Sequence, residues 1–134
     1  MNADERGLLA PSTPINDLSQ EVIGAAMRVH NTLGCGFLEK VYENALIVEL
    51  AKANIEVQQQ LAIQVIYEGI PVGDYLADLV VDRRIIIELK AVKAIDEIHV
   101  AQTINHLRAA NYHLGLILNF SKPKLEVKRL VHKL

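Results

Sequence analysis

Three charged residues lie in apolar stretches of the sequence, where a charge is energetically costly. Asp78 stands within residues 76–81, and Glu88 and Lys90 end the apolar run that begins at Ile85. Alternate residues of a strand share a face, so Glu88 and Lys90 point the same way. Two carboxylates and an ammonium are costly to bury together unless they pair or bind a metal ion. The residues alone therefore leave two interpretations open, a metal site and a cross-strand salt bridge.

The spacing of apolar residues predicts two helices in the first part of the chain. The first is expected from residue 17 or 19 to 32, where Gly34 and Gly36 end it. The second is expected from about 37 to 54. Its inward-facing residues are expected to be Val41, Ala45 and Val48, with Leu46 as a further candidate.

The rest of the chain reads as strands with one helix between them. Strands are expected at 55–67, 74–81, 85–90, 112–120 and 125–131, with a turn at 69–73 and a helix from 96 or 97 to 110. This order indicates an α/β fold with a mixed sheet flanked by helices. Residues 1–16 are expected to form a flexible lead-in to a single domain, 17–134.

The connection between the second and third strands decides whether the two carboxylates can meet. A two-residue turn would place Asp78 opposite Ile87 and point Glu88 away from it. A three-residue turn pairs Val81 with Ile85 and sets Asp78 opposite Glu88. We expect that register, or a bulge with the same effect.

Composition and charge narrow the function classes. The chain has 134 residues, 51% of them hydrophobic, and a net charge of −2, which indicates a globular domain that is not strongly basic. Nucleic-acid binding would need metal ions or a local patch, and residues 122–133 are either such a patch or a solvated face. The single cysteine and the lack of a membrane-spanning apolar run predict a cytoplasmic protein without membrane contact. Phosphate-binding glycine motifs are missing, which argues against a kinase or nucleotide-cofactor enzyme.

Several short motifs resemble one group of enzymes, in the right order. Asp78 followed by Glu88-Leu89-Lys90 resembles the signature of the PD-(D/E)xK nuclease superfamily. Residues 36–42, GFLEKVY, resemble the motif that names its GxxExxY family. The similarity continues at 42–46, 77–79, 87–92, 101–102 and 118–120, so it covers the chain from about residue 18. The resemblance implies a restriction-endonuclease-like core.

The resemblance also implies an activity, a metal-dependent hydrolysis of phosphodiester bonds with DNA as the expected substrate. Asp78 and Glu88 would hold Mg²⁺ or Mn²⁺, with the Leu89 carbonyl oxygen as a further ligand. Glu39 would add a carboxylate from a helix. Lys90 would orient the attacking water or stabilise the developing charge.

Three further residues are candidates for substrate binding. Gln102 resembles a helical glutamine that related nucleases place beside the site, and His106 stands where a tyrosine often follows it. Tyr42 either contacts Glu39 or a phosphate, or packs in the core. The alternative function is a catalytically silent module that binds nucleic acid or a protein partner. The small size and modest charge also favour a homodimer, or a protein partner, that completes the substrate groove.

Overall fold

A mixed five-stranded sheet forms the centre of the chain. The computed structural model describes residues 13–134. Its elements are α1 (Ile15–Leu33), α2 (Glu39–Lys52), β1 (Val57–Tyr67), β2 (Ile70–Val81), β3 (Ile85–Lys90), α3 (Glu97–Ala110), β4 (Leu114–Asn119) and β5 (Glu126–Val131). The sheet order is β1-β2-β3-β4-β5, and only β3 and β4, which α3 connects, run parallel. The expected α/β fold with a mixed sheet is confirmed.

The helices cover both faces of this sheet. Buried residues of α1 and α2 pack with Leu79, Ile87 and Leu116 in one cluster. Leu107 of α3 packs with Ile86 in a second cluster on the opposite face. The central strands are therefore buried on both sides, which explains their continuous apolar sequence. No helix within residues 13–134 is long and apolar enough to cross a membrane.

The start of the described chain overlaps the predicted lead-in. Residues 1–12 of that lead-in lie outside the described residues, and Ile15 and Asn16 already belong to α1. The helix ends at Gly34, whose φ of 70° is easily adopted by glycine and whose N–H donates to the His30 carbonyl oxygen at 2.8 Å. Gly36, with φ of 108°, continues the turn towards α2.

The buried face of α2 differs from the prediction. Val41 and Val48 are 38% and 55% exposed, and the buried residues are Tyr42, Glu43, Leu46 and Leu50. The expectation of an inward-facing Val41 and Val48 was wrong. An apolar pattern could not identify this face because it contains a buried carboxylate.

The turn between β1 and β2 is tighter than expected. Tyr67 pairs with Ile70, so only Glu68 and Gly69 lie between the strands, with φ of 49° and 81°. Two consecutive residues at positive φ reverse the chain with the twist that a hairpin needs. Ile70–Gly73, predicted as a turn, therefore belong to β2.

The burial of α2 can be tested with one matched pair of variants. Leu46→Ala removes a fully buried side chain and should lower the free energy of unfolding by about 2–5 kcal/mol. Val48→Ala, on the exposed face, should change it by less than about 0.5 kcal/mol. Urea unfolding of both variants measures the difference, and equal losses would contradict the orientation of α2.

Candidate active site

The β2–β3 connection brings the two carboxylates of the predicted site together. Val81 pairs with Ile85 and Leu79 with Ile87, and the continuation of this register places Asp78 opposite Glu88. The predicted register is confirmed. Asp82, one of the turn residues, has φ of 52° and forms an ion pair of 2.8 Å with Arg84.

An irregularity of the sheet lies at the level of Asp78. Ala77 packs in the cluster below α3, whereas Leu79 packs in the cluster below α1 and α2. In a regular strand these two residues would share a face, so the alternation breaks between them. On β1, Gln60 is left out of the ladder between the pairs on either side and has φ of 55°. Such departures are frequent near functional sites.

Asp78 is held by the backbone of the neighbouring strand. Its Oδ2 accepts a hydrogen bond of 2.8 Å from the Leu89 N–H. Burial raises the pKa of Asp78 to about 6, and the charges of Glu88, Glu43 and Glu39 act in the same direction. The Leu89 N–H opposes this shift but does not cancel it. Several carboxylates therefore share a small region, which favours binding of a cation.

Glu88 is buried without a hydrogen bond on one of its oxygens. The residue is 7% exposed, and no residue within 13–134 forms a hydrogen bond with Oε2. The nearest cationic candidate is the Nδ1 atom of His106 on α3, at 3.6 Å. This distance is too long for a hydrogen bond. The His106 ring stacks on the Tyr75 ring of β2, with 3.5 Å between centroids.

Lys90 ends β3 at the same place. Its carbonyl oxygen accepts a hydrogen bond of 3.0 Å from the Phe120 N–H, which fixes the backbone. Its side chain is half-buried, and no residue of the described range 13–134 forms a hydrogen bond or ion pair with the ammonium. The ammonium is therefore available to a negatively charged substrate.

Glu39 approaches this end of β3 from α2. It is the first residue of that helix, and its Oε2 accepts a hydrogen bond of 3.1 Å from the Ala91 N–H. A carboxylate in the first turn of a helix is stabilised by the helix dipole. A cleft of about 560 Å³ opens here, lined by Gly36, Phe37, Leu38, Glu39, Lys40, Ala91 and Ser121.

The other predicted site residues have different surroundings. Leu89 has its side chain in the core and its amide on Asp78, so its backbone lies at the site. Gln102 is exposed on α3, one turn before His106. It has no hydrogen bond or ion pair with any residue of the described range.

Tyr42 is buried, and its hydroxyl group is engaged in the loop before α2. The hydroxyl donates to the Gly34 carbonyl oxygen at 2.6 Å and accepts from the Phe37 N–H at 3.2 Å. The ring stacks on Phe120 with 4.5 Å between centroids. Of the two interpretations of Tyr42, these contacts favour packing, and they fix the loop that leads into Glu39.

A buried carboxylate that the sequence did not identify as part of the site lies next to Asp78. Glu43 is 3% exposed and accepts hydrogen bonds from Lys40, Gln59 and Gln60 at 2.6–3.1 Å. Burial alone would raise the pKa of Glu43, but the three donors together lower it. Gln59 and Gln60 are consecutive, and the positive φ of Gln60 accompanies their convergence on one carboxylate. Its position one helical turn after Glu39 was the only available signal.

Asn119 fixes the loop that follows Lys90. It is completely buried, and its Nδ2 donates to the Val92 carbonyl oxygen and to Glu126 Oε1 at 2.9 and 3.0 Å. Its Oδ1 accepts from the Val92 N–H at 3.1 Å. Glu126 also accepts from the Ile95 N–H at 3.2 Å, so two side chains hold both parts of this loop.

The chemistry of these donors suits a divalent ion. Carboxylates and a backbone carbonyl are the oxygen ligands that Mg²⁺ and Mn²⁺ accept. The unpartnered Oε2 of Glu88 and the raised pKa of Asp78 both fit a site that a cation would complete. No group of three or more His, Cys, Asp or Glu within residues 13–134 is gathered closely enough to hold an ion by itself. Water and substrate oxygens would have to supply the remaining ligands, as they commonly do for Mg²⁺.

Comparison with known protein families gives one clear result. A family model described as the PD-(D/E)XK nuclease superfamily matches residues 16–130. The chain belongs to the PD-(D/E)XK nuclease superfamily. PD-(D/E)XK nucleases generally use divalent metals, in agreement with the donor set above. No significant match was found among curated proteins or among solved structures.

The raised pKa of Asp78 predicts a pH dependence of stability in metal-free buffer. A pKa raised to about 6 in the folded state stabilises the fold below the ordinary value, and this contribution is lost as pH rises through about 6. Asp78→Asn stays neutral, so its melting temperature should rise by a few degrees relative to the wild type between about pH 4 and pH 8.

The matched control is Asp74→Asn, which changes an exposed carboxyl group of the same strand. Its difference from the wild type should be nearly constant over this range. A pH-independent difference for Asp78→Asn would contradict the proposed burial of the Asp78 charge.

Proposed function

We propose that this chain is a metal-dependent nuclease that hydrolyses phosphodiester bonds, with DNA as the expected substrate. The observation that carries the proposal is the β2–β3 register, whose continuation sets Asp78 opposite Glu88, two residues before the Lys90 ammonium, which has no partner within residues 13–134. Membership of the PD-(D/E)XK nuclease superfamily supports it. The acidic composition supports a metal-assisted enzyme over a protein that binds phosphates by positive charge alone.

The acidic residues would bind the divalent ion, Mg²⁺ or Mn²⁺. Asp78 and Glu88 are the proposed ligands, with the Leu89 carbonyl oxygen and Glu39 as further donors. A bound ion would act as a Lewis acid on the phosphate group and lower the pKa of a coordinated water. Asp78 is fixed for this role by the Leu89 N–H, and Glu39 by the Ala91 N–H.

Lys90 would act on the reacting phosphate itself. Its ammonium has no partner in the described range and is half-buried, so solvent screens it less than a surface charge. Such a group can orient the attacking water or stabilise the negative charge that develops in the transition state. Asn119 and Glu126 hold the following loop and thereby keep Lys90 at the end of β3.

The substrate would lie between the cleft at Glu39 and the α3 face that carries Gln102 and His106. Gln102 is exposed and free to contact a nucleotide. We propose that Tyr42 acts indirectly, since its hydroxyl fixes the loop that positions Glu39. This function for Tyr42 and Glu39 fits the proposed placement in the GxxExxY family. The cytoplasmic location stays a prediction from composition.

Substitution of Lys90 separates an enzyme from a silent binding module. In a nuclease, Lys90→Ala should lower turnover by about a hundredfold or more at nearly unchanged affinity, since the ammonium acts mainly in the transition state. Lys90→Arg should not restore the rate, because a planar guanidinium replaces a compact ammonium. Cleavage and binding are measured in parallel on single-stranded, nicked and branched DNA, with and without Mn²⁺.

Lys93→Ala is a matched control, because it removes a lysine from the loop after β3 that has no assigned function here. Its turnover should stay within about twofold of the wild type. A protein that binds DNA but never cuts it would support the silent module. Equal cutting by wild type and Lys90→Ala would disprove the assignment of Lys90.

We further propose that the active form is a homodimer joined through β1. This edge strand contains no charged residue between Val57 and Tyr67, whereas the opposite edge, β5, contains Lys128 and Arg129. Natural edge strands are normally protected by charge. An uncharged strand can pair with its own copy about a two-fold axis without repulsion of like charges. The exposed apolar side chains at this end, Val65, Ile66, Tyr67, Ile70 and Val72, would be buried in such a pair.

Sedimentation velocity tests the dimer. Ile66→Lys places a charge on β1 at a residue that is 52% exposed, so it should leave the fold intact and give a monomer. Ile98→Lys, at a residue of α3 that is 66% exposed, should remain a dimer. A monomeric wild type at about 100 µM, or a dimeric Ile66→Lys, would disprove this interface and favour a different partner.

A further inference from the structure

Phe37 is an exposed aromatic residue that lines the same cleft as Glu39. The chain contains two phenylalanines, and Phe120 is fully buried, whereas Phe37 is 48% exposed. The next residue, Leu38, lines the cleft as well and is 80% exposed. Apolar side chains that gather in a groove, instead of being scattered over the surface, indicate a site where a ligand covers them.

Two contacts with Tyr42 fix the position of Phe37 before any ligand binds. Leu38 is the N-cap residue of α2, so Phe37 precedes the cap and Tyr42 is the fourth residue of the helix. The two rings are in edge contact, with 6.1 Å between centroids and 75° between planes, as in the hydrophobic staple of a helix N-terminus. The Phe37 N–H also donates to the Tyr42 hydroxyl at 3.2 Å. The staple covers part of the ring and leaves the rest accessible in a fixed place.

The cleft beside this ring has the size and the lining of a small-ligand site. Its volume is about 560 Å³, within the range of about 300–1,000 Å³ that such sites have. Phe37 and Leu38 contribute apolar surface to it, and Lys40 and Ser121 contribute polar groups. A nucleobase combines a flat apolar face with hydrogen-bonding atoms at its edges, so it suits this mixed lining.

The cleft adjoins the residues that would act on the phosphate group. Ala91 lines the cleft and directly follows Lys90, and its N–H donates to Glu39 Oε2 at 3.1 Å. A strand whose phosphate lies at Lys90 therefore has a neighbouring base within reach of Phe37. The ring is placed to hold the substrate next to the bond that would be cut.

Base pairing decides which form of nucleic acid can use this ring. A base inside a duplex is stacked and paired, and its removal from the stack costs free energy. The bases of a single strand separate easily and stack on aromatic side chains with little dependence on sequence. The net charge of −2 agrees with this preference, because proteins that bind a duplex neutralise several of its phosphates with cations.

We propose that Phe37 is a stacking platform for an unpaired nucleobase and that it makes the site selective for single-stranded over duplex DNA. The proposal rests on the proposed nuclease function and specifies its substrate. Phe37 holds the strand, whereas Lys90 acts on the phosphate group. Substitution of Phe37 should therefore change substrate affinity, and substitution of Lys90 should change turnover.

The chain contains no tryptophan, so one substitution places a specific fluorescent probe in the cleft. Phe37→Trp keeps an aromatic face, and stacking of a base should quench its emission. Titration with single-stranded oligothymidylate and Mn²⁺, in the slowly cutting Lys90→Ala background, should give saturable quenching. A blunt duplex of the same length should leave the emission unchanged. Val48→Trp, at a residue of α2 that is 55% exposed and outside the cleft, should show no quenching with either.

Two further variants separate stacking from simple apolar contact. Phe37→Leu keeps an apolar contact with Tyr42 but removes the aromatic face, so its affinity for the single strand should fall about tenfold. Its turnover at saturating substrate should stay within about twofold of the wild type. Phe37→Tyr keeps the face and should retain the wild-type affinity. Fluorescence anisotropy of a labelled oligonucleotide measures these affinities, and cleavage rates are measured in parallel.

The outcomes distinguish this proposal from the nuclease proposal. Equal single-strand affinity of the wild type and Phe37→Leu, or binding that leaves Phe37→Trp unquenched, would overturn the stacking role and leave the nuclease proposal standing. A wild type that cuts duplex DNA as fast as single-stranded DNA would overturn the selectivity. Binding of single strands that depends on Phe37, by a protein that never cuts, would support the stacking role and contradict the nuclease proposal alone.

Discussion

The candidate site depends on one hydrogen bond between adjacent strands, from the Leu89 N–H to the Asp78 carboxylate. It joins β2 to β3 beyond their last ladder pair, Leu79 with Ile87, at the point where the carboxylates meet. The Asp78 carboxylate therefore accepts the hydrogen bond from a strand N–H that a backbone carbonyl oxygen accepts elsewhere in the sheet. The bond fixes Asp78 against the backbone that carries Glu88 and Lys90, and the parallel pairing of that backbone with β4 positions Glu88 and Lys90 themselves.

Two groups of hydrogen-bonded side chains flank the candidate site, one next to Asp78 and the other in the loop after Lys90. Gln59 and Gln60 are neutral, and they donate hydrogen bonds to the carboxylate oxygens of the buried Glu43 next to Asp78. On the other side, Asn119 and Glu126 hold the loop after Lys90. The two sets differ from the site in one physical respect: their polar atoms have hydrogen-bond partners, whereas Glu88 Oε2 has none in the part of the chain that the structure describes. A ligand site is expected to have surrounding side chains whose hydrogen bonds are all formed, and a central polar atom that still lacks a partner.

The pKa values of Glu43 and Asp78 differ because their surroundings differ. Glu43 gains three donors, and its pKa is lowered despite burial, whereas Asp78 gains one, and its pKa is raised. Both groups are carboxylates, so the difference comes from their surroundings: burial and neighbouring carboxylates raise the pKa of Asp78, whereas three donors and the Lys40 charge outweigh burial at Glu43. A cation bound near Asp78 would supply the favourable interaction that Glu43 already receives from the protein.

The sequence by itself determined the order of the elements and the residue types of the candidate site. Apolar runs and turn residues predicted each strand and helix of the described residues, and the isolated charges at Asp78, Glu88 and Lys90 indicated the candidate site because burial of a charge is costly. The tertiary structure alone decided which groups are buried around it. No pattern of periodicity shows that Glu43 faces inward, that His106 stacks on Tyr75, or that His106 approaches Glu88, because these contacts join residues that are distant in the chain. Local spacing specifies a face of one element, and only the packing of several elements specifies what that face meets.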